Sequence, residues 1–173
     1  DLMDVDRLFG LPAHPLVVHA AVVLLPVAAI GLIVVAAIPR ARKLYAPIVL
    51  GLALAATVAV GLAQQSGESL EDDVKETELV EEHTEQGETV LPWAIAVTVM
   101  SALVAAEPYV RNRFDKPSPR VVTAVLVGAS LIVGLGATYT VIDVGHSGAK
   151  SSWGDVEITN EGHGDVGGEN DDG

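Results

Sequence analysis

Residues 15–38 read PLVVHAAVVLLPVAAIGLIVVAAI, a stretch of 24 residues without one charged side chain. A helix of about 20 apolar residues crosses the hydrocarbon core of a bilayer, so this stretch reads as a membrane span. Three further uncharged runs follow it: 44–63, 90–106 and 121–142. Their lengths of 20, 17 and 22 residues all fall within the range of about 17–25 that spans require. Half of the 173 residues are apolar, yet only 4% are aromatic. Leu, Val, Ala and Ile supply most of the apolar content, as in membrane helices. Four helices this apolar could not all be covered within a small soluble chain. The expected fold is therefore all-α: an integral membrane four-helix bundle.

The first run does not read as a cleaved leader. It is too long, its upstream flank is acidic, and no small-residue cleavage site precedes a mature domain. The chain contains no cysteine. That excludes disulfides, covalent c-type haem attachment, thiolate metal sites and a cysteine nucleophile.

Charge sorts the two ends of the spans. The net charge is −13, but seven of the ten basic residues lie in two short connections. Arg40, Arg42 and Lys43 join spans one and two; Arg111, Arg113, Lys116 and Arg120 join spans three and four. The excess of basic residues in short loops predicts that these connections face the cytoplasm. The other side takes the acid: ten carboxylates in residues 64–89, Asp1, Asp4 and Asp6 at the start, and seven more from Asp155 onward. Both termini are expected outside, in a multi-pass protein of the bacterial cytoplasmic membrane. The acidic outer face reads mainly as a solvated, repulsive surface, with attraction of cations or of a basic redox partner as the alternative. It argues against nucleic acid as a partner and against docking of that outer face on anionic lipid.

The span domain covers 1–153, and 154–173 form an acidic, glycine-rich tail with too little apolar surface to fold alone. Leu8, Phe9, Leu11 and Pro12 are expected at the interface, and His14-Pro15 opens the first span. Pro26 is a candidate kink. Between Ser69 and Glu85 the apolar residues recur at helical spacing among carboxylates, which predicts a short amphipathic segment lying on the outer end of the bundle. Gly51, Ala55 and Ala59 in span two, and Ser130 and Gly134 in span four, lie on four-residue spacings, and Gly128 and Gly136 also thin span four. Such residues let membrane helices approach closely, or simply reflect an alanine-rich composition. Trp93 and Tyr139 suit an aromatic belt at the interface.

Four of the five histidines lie near span ends on the expected outer side: His14, His19, His83 and His146. His163 falls in the tail. His14 and His19 are five apart, about 140° around a helix, and do not share a face. His19 lies one turn inside span one and is expected to face the bundle interior or a cavity. His146 follows Asp143 by three residues and sits in Gly145-His146-Ser147-Gly148, read as a turn, where Asp143 could orient the imidazole. Three chemistries compete for this set. In the first the histidines serve structure alone, bonding backbone and water. In the second they ligate haem b, held by His side chains from two helices with the ring between them. In the third, three of them, with Asp143 or Glu88, bind Zn, Cu or Fe. No nucleophile stands at recognisable spacing, so no catalytic activity of its own is expected.

Several of these segments resemble a bacterial membrane family, the domain of unknown function 2231. His14-Pro15-Leu16-Val17-Val18-His19 resembles its opening HPxxVH. Ser66-Gly67-Glu68-Ser69-Leu70-Glu71, with His83 and Gly87-Glu88, resembles its second outer motif. Gly145-His146-Ser147-Gly148 resembles its closing GHxGG, with Ala149 in place of the last glycine. The likeness covers roughly residues 10–153. It implies a four-helix membrane protein and is compatible with a haem or respiratory link. Together these readings predict a histidine site of haem b or metal in an accessory subunit of respiratory electron transport, among lipids and other membrane subunits. The alternative is a purely structural or assembly subunit without a cofactor.

Overall fold

The computed structural model describes residues 7, 8, 11–71, 84–113 and 120–153, with side chains at 16–67, 84–113 and 120–149. Two short strands pair antiparallel, β1 (Arg7–Leu8) against β2 (Leu11–Pro12), with Arg7 opposite Pro12 and Leu8 opposite Leu11. Four long helices follow: α1 (Ala13–Ala37), α2 (Pro39–Glu71), α3 (Val90–Arg113) and α4 (Arg120–Trp153). A helical stretch at 84–88 leads into α3. All four long helices are long and apolar enough to cross a membrane. The chain is thus an all-α membrane-spanning bundle. Most of the segment at 69–85 read as amphipathic, with His83, and the tail with His163 lie outside the described residues.

The helices outrun the uncharged stretches. α2 continues through Gln64, Gln65 and Ser66 to Glu71, and α4 passes straight through Gly145-His146-Ser147-Gly148, which had read as a turn. Glycine costs a helix only about 1 kcal/mol relative to alanine, and no proline follows to stop it. Ser147 donates to the Val144 carbonyl at 3.0 Å within that turn of helix. Proline does set the boundary between α1 and α2. Pro39 disfavours helical geometry at Ile38, which is the single non-helical residue between them, and itself takes the first position of α2. Pro26 lies within an unbroken α1, and Pro47 and Pro108 within α2 and α3.

Each helix turns inward on one repeat. The buried positions step by four and three: Ala21, Leu25, Ala28, Leu32 and Val35 in α1; Arg42, Ala46, Val49, Ala53, Ala56 and Val60 in α2. They run Val90, Ala94, Val97, Ser101, Val104 and Pro108 in α3, and Ser130, Gly134, Ala137 and Val141 in α4. A 3.5-residue average keeps one seam facing its neighbours along a left-handed bundle. α1 packs between α2 and α4, α3 closes the ring against both, and α1 meets α3 across the middle.

The inward residues are small. Among the described residues, eleven of the twenty buried hydrophobics are alanines, whereas the exposed large ones include Val23, Ile30, Leu44, Val58, Ile132 and Leu135. Lipid tails are as apolar as leucine, so large side chains gain little by turning inward. Close van der Waals contact between helices selects small ones there.

Glycine serves this seam at two places in α4. A Cβ on Gly134 would lie 2.8 Å from Ile33 Cδ1 and 3.3 Å from the Ala29 carbonyl oxygen of α1. Gly136 lies directly beneath the Trp93 ring of α3, which leaves no room for a Cβ. Trp93 therefore packs between α3 and α4, while Tyr139, one turn beyond Gly136, is exposed. Gly51 and Gly128 have open space where a Cβ would stand, and Gly51 and Ala55 face outward. Of the small residues read as a packing stripe in α2, Ala59 is turned in.

Candidate functional site

The up-and-down topology brings the start of α1, the end of α2, the approach to α3 and the end of α4 to one end of the bundle. Three of the histidines, His14, His19 and His146, stand on the helices of this end. His14 is the second residue of α1, His19 lies on the same helix, and Asp143 and His146 lie on the neighbouring α4. Glu88 ends the stretch before α3, whose backbone is pinned: Gln64 Nε2 of α2 donates to the Gly87 carbonyl at 2.8 Å, and Thr89 Oγ1 to the Gln86 carbonyl at 2.6 Å. Gln64 had no place in the sequence reading. It is one residue past the uncharged run, and that position was its only signal.

The side chains do not converge on the interior. His19, Glu88, Asp143 and His146 are all exposed. The expectation that His19 faces inward is overturned by the phase of α1. Ala21 is buried two residues later, about 200° around the helix, so His19 points away from the seam. Asp143 stands in the same relation to buried Val141 in α4. Asp143 and His146, three apart, share an outward face. Among the described residues no three His, Asp or Glu side chains form a group able to hold a metal ion.

Haem between the helices does not fit the interior. A macrocycle would need a gap where Gly134 touches Ala29 and Ile33, where Trp93 covers Gly136, or where Ala53, Ala56, Ala94 and Ala137 are fully buried. An open apolar groove of about 520 Å³ does lie between α1 and α2, lined by Leu16, Val17 and Ala20 and by Leu54, Val58 and Leu62. It carries no ligand-type side chain. The polar contacts inside the bundle are short and local. Thr57 Oγ1 lies 2.8 Å from Thr98 Oγ1 and within hydrogen-bond distance of the Ala53 and Ala94 carbonyls, at 2.9 and 3.1 Å, joining α2 to α3. Ser101 bonds the Val97 carbonyl at 2.7 Å, whereas the buried Ser130 hydroxyl has no partner among the described residues.

The opposite end holds a constellation that the sequence reading missed. Arg42 had read as part of a solvated basic loop, and the spans as free of charge. Instead the Arg42 side chain is 0% exposed and its Nη1 lies 3.3 Å from Glu107 Oε2 of α3. Its Nε donates to the Val35 carbonyl at 3.3 Å and its Nη2 to the Ala36 carbonyl. These are carbonyls of the last turn of α1, which have no partner within their own helix. Arg111 Nε approaches the other oxygen of Glu107 at 3.8 Å. One carboxylate thus serves two guanidiniums. The signal in the sequence was Glu107 itself, an acid at the basic end of span three and four residues before Arg111.

A search of curated proteins gives no significant match, nor does a search of solved structures. One family model covers residues 10–160, and by that match the chain belongs to the family described as predicted membrane protein (DUF2231).

Proposed function

We propose that the chain is a structural or assembly subunit of a membrane complex, a closed four-span bundle that acts through its outer faces. One observation carries this reading: the interior is filled to backbone contact at Gly134 and Gly136 while His19, Asp143 and His146 turn outward. The outward Gly51 and Ala55 leave α2 open to close approach by another helix. In this reading the Arg42 end lies in the cytoplasm and both termini outside, as the basic loops suggest.

The test is purification of the complex in mild detergent with absorbance and elemental analysis. The expected result is no Soret band, no stoichiometric metal, partner association retained in His19→Ala with His146→Ala, and association lost in Gly51→Leu. A Soret band or metal that disappears with the histidine substitutions overturns it.

That outcome would favour a second reading, supported by the placing of His19 and His146 at one end of neighbouring helices with Asp143 one turn from His146. Haem b, or a Zn, Cu or Fe ion, would then sit at the edge of the bundle, with His14, His83 or Glu88 completing the ligand set. The chain would serve respiratory electron transport as an accessory subunit.

A further inference from the structure

Two guanidiniums and one carboxylate meet where α2 and α3 reach the membrane boundary. Arg42 is wholly buried and claims Glu107 Oε2, and Arg111 lies at the longer distance of 3.8 Å from Oε1. The Arg111 Nε is buried and makes no hydrogen bond among the described residues, while the side chain as a whole stays 37% exposed. The cluster therefore keeps an excess positive charge in a partly dry place. Glu107 is the only carboxylate among the described residues of this end, against exposed Arg40, Lys43, Arg113 and Arg120.

The surroundings specify the kind of anion. Leu44, Tyr45 and Ile48 near the start of α2, and Tyr109 and Val110 near the end of α3, are exposed at this same end of the bundle. A soluble phosphate would gain nothing from that apolar flank, whereas the acyl chains of a lipid would lie along it. Tyrosine belongs at the headgroup level, and the guanidinium fork matches phosphate oxygens in pairs. Basic pockets between membrane helices bind anionic headgroups on these grounds. We propose that Arg111, set by the Arg42–Glu107 pair, forms with the basic residues of α2 and α3, but not with Arg120 of α4, a binding site for the phosphate of an anionic phospholipid.

The test uses the full chain, purified in neutral detergent and offered equimolar phosphatidylglycerol and phosphatidylcholine. Native mass spectrometry reads retention, and thermal unfolding reads stabilisation. Phosphatidylglycerol is expected to be retained roughly fivefold over phosphatidylcholine and to raise the unfolding temperature where phosphatidylcholine does not. Arg111→Gln should bring retention close to parity, while Arg120→Gln on α4 should leave most of the preference. Millimolar inorganic phosphate should not displace the lipid. Equal retention of the two lipids by the unaltered chain, an unchanged preference in Arg111→Gln, or displacement by inorganic phosphate each overturns the proposal. The comparison on the unaltered chain decides even where the variant does not fold.

Discussion

Arg42 of α2 holds its Nη1 3.3 Å from Oε2 of Glu107 of α3, with the arginine fully buried and the glutamate side chain 11% exposed. The same guanidinium closes the carbonyl end of α1 through Val35 and Ala36. Three of the four helices thus meet on one side chain. Cations are favoured at helix C-termini, and a buried charge is tolerated only when paired and hydrogen-bonded. Arg42 meets the first through Val35 and Ala36, and meets the second through Nε and Nη2, while Nη1 faces Glu107 as an ion pair without a hydrogen bond.

Removing one partner should cost much more than removing both. Arg42→Ala leaves the nearly buried Glu107 with only the longer Arg111 contact and strips the carbonyls of α1, a loss of about 3–5 kcal/mol. The pair Arg42→Met with Glu107→Leu should recover most of that. Unfolding in detergent of the two single variants and the double checks it. If the three losses simply add, the two residues are not coupled.

Glycines of one helix should differ sharply in tolerance. Gly136→Ala drives a methyl into the Trp93 ring, and Gly134→Ala meets Ile33 and the Ala29 backbone. Each should destabilise the bundle by about 1–3 kcal/mol. Gly128→Ala in the same helix, and Gly51→Ala in α2, enter open space and should be neutral or stabilising by up to about 1 kcal/mol. Melting temperatures of the four variants settle the ranking.

The Thr57–Thr98 contact should contribute modestly. Hydrogen bonds between membrane helices average about 0.6 kcal/mol, with a maximum near 1.7. A cycle of Thr57→Val, Thr98→Val and the double variant should return a coupling in that range. A coupling of zero would mean that Thr57 is served fully by the Ala53 and Ala94 carbonyls.

Orientation can be read directly because the chain has no cysteine of its own. Single cysteines at Glu88 and at Arg113, both exposed and at opposite ends of the same helical stretch, report the two sides. In intact cells an impermeant maleimide should label the Glu88 position and spare Arg113. The reverse pattern would invert the topology.

The four spans, the all-helical fold and the basic character of one end were legible in the sequence, because long uncharged runs have one solution in a bilayer and short loops carry its charge bias. Of the histidines expected at one end of the bundle, His14 and His19 stand on the first turns of α1 and His146 near the end of α4, an order that follows from four up-and-down spans. Their direction was not legible. An inward face and a lipid-facing face are both apolar, so residues around His19 carry no polar stripe to reveal the phase of α1. Only packing decided it: Ala21, Ala53, Ser101 and Gly134 turned in because helices approach closely over small side chains, and Ile30, Val58 and Ile132 turned out because lipid accepts them equally well. The burial of Arg42 was likewise tertiary. The same residue in an isolated loop would be solvated, and it became interior only when Pro39 turned α2 back along α1 and α3 brought Glu107 beside it.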